Sequence, residues 1–254
     1  MKSCEQTYQI FNQNCNSKFL LLCDHATNRV PNSVSETNLG LTSNELERHI
    51  AYDIGAKETA LELATEMDAP LIYTDYSRLV IDPNRSKRDP TSIMQIYDGS
   101  IIPGNLQLSK AEINYRRKQF YDPYHTAISN FLKDKKKKKS FVCIVSIHSF
   151  TPKLNSQDPR PWHIGILWDR DKRISDLLLQ DLKKNKDICI GENKPYSGNL
   201  VGDTLYQHGT SNNIPHVLIE FRNDLINSKF GQKKWTKIIS TPLNNCIEKL
   251  IGVN

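Results

Sequence analysis

The chain has 254 residues, 38% of them hydrophobic, with a formal net charge of +6 and a pI near 8.9. That length suits one large domain spanning residues 1–254, and that apolar fraction excludes an intrinsically disordered chain. No stretch approaches the roughly 20 apolar residues of a membrane-spanning helix, and the N-terminus lacks the continuous apolar core of a signal peptide, so a cytoplasmic protein is expected.

Along the chain, residues 19–23 (FLLLC) form a short apolar run closed by polar turn residues and read as a buried strand. In 46–67 the residues Leu46, Ile50, Ile54, Ala60, Leu61 and Ala64 fall near one stripe, predicting a helix. Residues 71–74 read as a second strand and 79–81 as a third. The stretch 111–133 is helical in pattern, with Pro123 expected to mark a kink or boundary. Residues 141–147 (FVCIVSI) are the clearest strand, and 164–168 follow as another. An amphipathic helix is predicted over 171–184, a strand over 216–221 (HVLIEF), and a closing helix over 229–251 with a break near Pro242. This alternation predicts an α/β fold, a mostly parallel sheet with helices on both faces. Ligands of such sheets bind beyond the carboxyl ends of the strands.

Three of the predicted strands end in residues suited to hydrolysis. The first runs into Asp24, His25, Ala26, Thr27 and Asn28, the one at 141–147 into His148, and the last into Glu220. Parallel strands point the same way, so His25, His148 and Glu220 can converge at one edge. A hydrolytic zinc site uses neutral imidazoles and a carboxylate and leaves one position open for water, whose pKa falls toward ~7. A nearby glutamate then takes the water proton and later protonates the leaving amine. No HExxH occurs, so the spacing alone does not specify the site. In 77–86 (SRLVIDPNRS), Asn84 and Arg85 sit in a turn built by Pro83. The arginine fork fits a substrate carboxylate, and the competing role for Arg85 is a salt bridge with Asp82 or Asp53. The six cysteines form no CxxC pair and read as small buried hydrophobes. The run from Lys133 to Lys139 reads as a solvated helix end, because no aromatic residues interleave with it as in a nucleic-acid patch.

These segments belong to a longer series: CDHATNRVP (23–31), HIAYDIGA (49–56), SRLVIDPNRS (77–86), IPGN (102–105), DPYH (122–125), SIHSFTP (146–152), RPWHIGILWDRD (160–171), NKPYSG (193–198), HGT (208–210) and IEFRNDL (219–225). In this order they resemble the N-formylglutamate amidohydrolase family. The resemblance implies a three-layer sandwich with a mostly parallel mixed sheet, like that of the zinc carboxypeptidases and aspartoacylase-type amidases. It implies hydrolysis of the amide of a small anionic N-acyl amino acid such as N-formyl-L-glutamate, Zn2+ or another divalent transition metal as cofactor, and a place in histidine degradation. No nucleic-acid or membrane partner is expected, and the oligomeric state stays open. By the same resemblance His25 and His148 are metal ligands, Glu220 is the general base, and Asn84 and Arg85 hold a substrate carboxylate. The carboxypeptidase pattern has HxxE at its first ligand site, where this chain reads His25, Ala26, Thr27, Asn28. The third ligand is therefore expected to be Asp53, ahead of Asp24 and Asn28. His49, four residues earlier on the same predicted helix face, is expected to orient Asp53. Arg160 is expected to stabilise the oxyanion and His163 to contact substrate, with loop salt bridges as their structural alternatives. His125, Arg222 and Asp224 read as architectural, and Tyr196, Ser197 and Gly198 as a turn lining the cleft. An acetyl or succinyl deacylase and a non-catalytic member of the fold are the competing readings.

Overall fold

Runs such as FLLLC and CIVSIHSF bury every side chain, as strands covered on both faces must. In the computed structural model, which describes residues 6–155 and 157–252, they form the centre of a sheet. The elements in chain order are β1 (Tyr8–Phe11), β2 (Phe19–Cys23), α1 (Ser43–Leu46), α2 (Ala56–Glu66), β3 (Leu71–Thr74), β4 (Ile96–Tyr97), β5 (Ser100–Ile101), α3 (Lys110–Arg116), α4 (Asp122–Lys137), β6 (Cys143–Phe150), β7 (Ile164–Leu167), α5 (Ser175–Leu182), β8 (Ile190–Glu192), α6 (Thr204–His208), β9 (His216–Arg222) and α7 (Lys229–Ile251). Seven strands make one sheet in the order β1-β3-β2-β6-β9-β7-β8. β3, β2, β6 and β9 run parallel, while β1 is antiparallel to β3 and β7 to β9.

Strand alternation sends successive side chains to opposite layers. Leu21, Cys23, Val145, Ile147, Val217, Ile219 and Phe221 pack with α2, α5 and α7. Leu20, Leu22, Ile144 and Leu218 pack with Tyr124, Ile128 and Leu132 of α4 and Leu205 of α6. A third cluster, including Leu39, Ala51, Tyr76, Leu79, Ile81 and Phe120, supports the loops 26–53 and 75–105. Fully burying one such aliphatic side chain contributes about 1.5–3 kcal/mol, so these loops are anchored rather than free. Among the described residues no helix is long and apolar enough to cross a membrane.

Several expected elements differ. The helix predicted over 46–67 is two helices, α1 ending at Leu46 and α2 starting at Ala56. Between them Gly55 takes φ 77°, and a Cβ there would lie 2.3 Å from the Ile226 carbonyl, so the chain turns where only glycine fits. Residues 79–81 form a turn, with the Val80 N–H donating to the Ser77 carbonyl, because their apolar side chains fill the third cluster instead of joining the sheet. The strand expected to end at 147 extends to Phe150, which puts His148 inside it. α3 continues through a π turn at Arg117–Tyr121 into α4, and Pro123 follows directly on that π turn without ending the helix. Pro242 does not break α7, whose face carrying Ile239, Leu243 and Cys246 is held in the core. The lysine run forms the last turn of α4 and the turn after it. Of the cysteines, Cys23, Cys143 and Cys246 are buried, Cys15 is half-buried and Cys189 exposed, all free; Cys4 lies outside the described residues.

Candidate active site

The register of β6 and β9 sets His148 opposite Glu220. Register partners of parallel strands project to the same face, so both side chains leave the sheet on the α4 and α6 side. The chain leaving β2 adds Asp24, whose Oδ2 accepts from Ser146 Oγ at 2.9 Å, and then His25. Asp53 arrives from the turn before α2, its N–H bonded to the His25 carbonyl at 2.9 Å. Asp53 Oδ2 thereby lies 3.3 Å from His25 Nδ1 and 2.8 Å from His148 Nδ1. One donor atom from each of His25, Asp53 and His148 falls within 4.8 Å of the others, and all three residues are buried.

Each imidazole is held from behind by a second carboxylate. His25 Nε2 lies 2.7 Å from Asp82 Oδ1 and His148 Nε2 lies 3.0 Å from Asp24 Oδ2. Arg78 ties the arrangement together, donating to Asp82 Oδ2 at 2.8 Å and to Asp53 Oδ1 at 3.3 Å. Thr204 Oγ1 donates to Asp24 Oδ1 at 2.7 Å. Two imidazole nitrogens and a carboxylate oxygen facing one point, with each ring fixed by an outer carboxylate, are the donor set and support of a three-ligand divalent-metal site, and the cluster fits one. Burial works against charge on His148, but its hydrogen bonds to Asp24 and Asp53 override that and raise its pKa well above the usual histidine value. Burial likewise works against charge on Asp53 and Asp82. For Asp53 the histidines, and for Asp82 His25 and Arg78, prevail and hold them well below the usual carboxylate range. A cation entering the cluster must displace the His148 proton.

Glu220 faces the same cavity, buried, with its Oε2 unpartnered among the described residues. Burial pushes its carboxyl up to about 8, the nearby Asp53 adding to the effect and His148 opposing it. Positive charge in the adjacent cluster favours the ionised carboxylate and lowers that value, leaving Glu220 able to accept a proton as a general base. The cavity wall also includes Asn84, Arg85, Tyr97, Phe150 and Tyr196. The loop carrying Asn84 and Arg85 is pinned by its backbone: His125 Nε2 donates to the Pro83 carbonyl at 3.1 Å and Tyr121 Oη to the Arg85 carbonyl at 2.9 Å. Arg78, not Arg85, takes the carboxylates of Asp53 and Asp82, so among the described residues the Arg85 guanidinium forms no ion pair.

The other expected site residues scatter. Arg160 stands behind the rim, its Nη1 donating to Tyr196 Oη at 3.0 Å and its guanidinium 5.8 Å from the Phe150 ring. His163 is turned away from the cavity: its Nδ1 accepts from the Cys189 N–H at 3.1 Å and its ring lies 6.4 Å from Trp235. His49 does line the cavity but pairs with Asp98 Oδ2 at 3.4 Å, not with Asp53, because no helix joins positions 49 and 53. Asn28 is engaged with the Leu46 carbonyl and Glu47, and Asp24 orients His148. Arg222 and Asp224 pair with each other at 2.8 Å. Arg78 and Asp82 were not picked from the sequence as site residues, although opposite charges four apart inside an apolar segment are a visible signal. Tyr97 was missed too. It sits on the β4–β5 hairpin, whose two-residue turn at Asp98 and Gly99 has positive φ at both positions. Asp98 then clamps the hairpin to Arg48 and to the Asn155 N–H.

Known proteins share this arrangement of chain. The structure of the gene product Atu2144 from Agrobacterium tumefaciens is 30% identical in sequence and superposes with a TM-score of 0.92, covering 98% of each chain. An N-formylglutamate amidohydrolase from Ralstonia eutropha JMP134, at 17% identity, shares the fold with a TM-score of 0.72 over 98% of this chain and 100% of that one. No match was found among curated protein sequences. A model of the N-formylglutamate amidohydrolase family matches residues 17–227, a span that holds every residue of the cluster and of the cavity wall, and the chain belongs to that amidohydrolase family.

Proposed function

We propose that this chain hydrolyses the amide bond of an N-acyl amino acid, N-formyl-L-glutamate being the example its family name supplies, with one divalent cation such as Zn2+ held by His25, Asp53 and His148. The observation that carries this reading is the convergence of those three donor atoms within 4.8 Å in the cavity that also holds the buried, unpartnered Glu220 oxygen. A divalent cation bound there supplies Lewis-acid polarisation of the amide carbonyl and brings the pKa of a water toward ~7.

The protein's own groups do the rest. Arg85 receives the substrate carboxylate, and Asn84 beside it fixes the orientation, which sets the scissile amide against the cluster. Glu220 Oε2 accepts the proton of the attacking water and returns it to the departing nitrogen. Arg160, held behind Tyr196, is the cation assigned to support the developing oxyanion. The buried position of Glu220 keeps bulk water from competing for its proton. Small acids such as formate and a free amino acid are the products, and the substrate is a small anion. Turnover of N-formylated amino acids before and after removal of metal by chelation tests the reading. Activity lost with the metal and restored by zinc supports it, and full activity in metal-free protein contradicts it.

A further inference from the structure

The loop that carries Tyr196 is built onto the strand beside Glu220. Gly165 of β7 is the register partner of Glu220, and a Cβ on it would lie 2.2 Å from the Lys194 carbonyl oxygen and 3.3 Å from Glu220 Cβ, so only glycine lets the loop come so close. Asn193 closes the loop: its N–H donates to the Ile166 carbonyl at 2.9 Å, and its Oδ1 accepts from the Trp168 and Gly198 N–H groups at 3.0 and 3.1 Å. Tyr196 is thus fixed next to Glu220, and both line the cavity, whose wall does not include Arg160 among the described residues. Arg160 Nη1 donates to the Thr151 carbonyl at 3.2 Å and to Tyr196 Oη at 3.0 Å, with its guanidinium 5.0 Å from the Tyr196 ring. A phenol that accepts from a guanidinium becomes a stronger donor, because that hydrogen bond polarises its own O–H. Burial, with the Glu220 charge adding to it, pushes the phenol up to about 12, so the proton stays on it at neutral pH.

Resting on the amidohydrolase reading, we infer that Tyr196 is a catalytic residue whose hydroxyl donates a hydrogen bond to the acyl oxygen as it becomes an oxyanion, and that Arg160 is a positioning residue acting through it. Glu220 takes the proton of the attacking water, so the carbon under attack lies next to Glu220. The oxygen of that carbon, one bond away, comes within reach of a donor on the neighbouring loop. Tyr196 transfers no proton: its hydrogen bond strengthens as negative charge grows on the oxygen, while Glu220 carries the proton from water to nitrogen.

Tyr196→Phe keeps the ring that Arg160 lies against and removes only the hydroxyl. In metal-loaded enzyme acting on N-formyl-L-glutamate, kcat should fall about 10²-fold with KM within about twofold of native, while zinc content and the urea midpoint stay unchanged. Arg160→Gln should lower kcat by about tenfold in the native background but by less than about twofold in the Tyr196→Phe background, because a group acting through the hydroxyl then has nothing to polarise. A Tyr196→Phe enzyme with kcat within about twofold of native overturns the inference, whether or not its KM rises. So does an Arg160→Gln effect of equal size in both backgrounds, which would give the oxyanion to the guanidinium directly. A native enzyme that holds zinc and hydrolyses no N-formylated amino acid removes the amidohydrolase reading, and the inference falls with it.

Discussion

Replacing Asp82 by asparagine removes one charge from behind the cluster while keeping the shape of the side chain. Asp82 Oδ1 lies 2.7 Å from His25 Nε2 and 2.9 Å from the Asn84 N–H, and Oδ2 accepts from Arg78 at 2.8 Å. An asparagine has one oxygen for these tasks. Turned to serve His25 and Asn84, its amide NH2 meets the Arg78 guanidinium donor to donor. Turned the other way, it leaves His25 and the Asn84 N–H facing donors. Losing such an outer carboxylate costs about 10–100-fold in metal affinity, or roughly 1.4–2.8 kcal/mol. Breaking a buried ion pair outright costs about 3–5 kcal/mol, but Arg78 keeps Asp53 and its place 5.3 Å from the Tyr97 ring, so a stability loss of about 2 kcal/mol is expected. Zinc titration against a competing chelator gives the first number, and urea denaturation of metal-free protein gives the second. A variant that loses stability yet binds zinc within about twofold of the native protein would show that Asp82 supports the fold without orienting a ligand, and the reasoning about His25 would fall with it.

Other predictions follow from the same geometry. Glu220→Gln should retain zinc and fold normally while kcat drops by about 10²–10⁴, and a near-normal kcat removes Glu220 from proton transfer. Arg85→Lys gives up the planar fork, so KM should rise by about tenfold or more with kcat less affected, and an unchanged KM would mean the substrate carboxylate sits elsewhere. His125 and His208, bonded Nδ1 to Nε2 at 2.8 Å, are buried, which pushes them down to about 4 and about 3. Both titrate near ~6.5 when unfolded, so below that pH the unfolded chain binds more protons and stability falls as pH drops from ~6.5 toward 4. From pH 7 to pH 5 the pair should cost about 2–4 kcal/mol, a loss that urea denaturation of a His125→Gln/His208→Gln variant should lack; equal pH slopes would refute this.

The strand-end logic was legible because apolar runs closed by His25, His148 and Glu220 carry both the strand and its carboxyl terminus in the residues themselves. Asp53 was selected on a helix that does not form there: it belongs to the turn before Gly55, and its position depends on the His25 carbonyl, a contact with no local signature. The same limit hid the outer carboxylates. Asp24 reads as a candidate ligand from its neighbour His25, and only the packing of β2 against β6 shows its oxygen directed at His148. His163 looked like a site residue because it lies in a matched segment, but the antiparallel pairing of β7 with β9 seats that end of β7 on the Trp235 side.

X-ray absorption of protein loaded with zinc, with elemental analysis of the same sample, tests the account most directly, because together they read donor type and stoichiometry. One zinc per chain is predicted, with nitrogen and oxygen neighbours at about 2.0–2.2 Å and an imidazole signal that weakens in His25→Ala and in His148→Ala. Sulfur neighbours at about 2.3 Å, or no zinc retained by the native chain, would contradict a cation held by His25, Asp53 and His148.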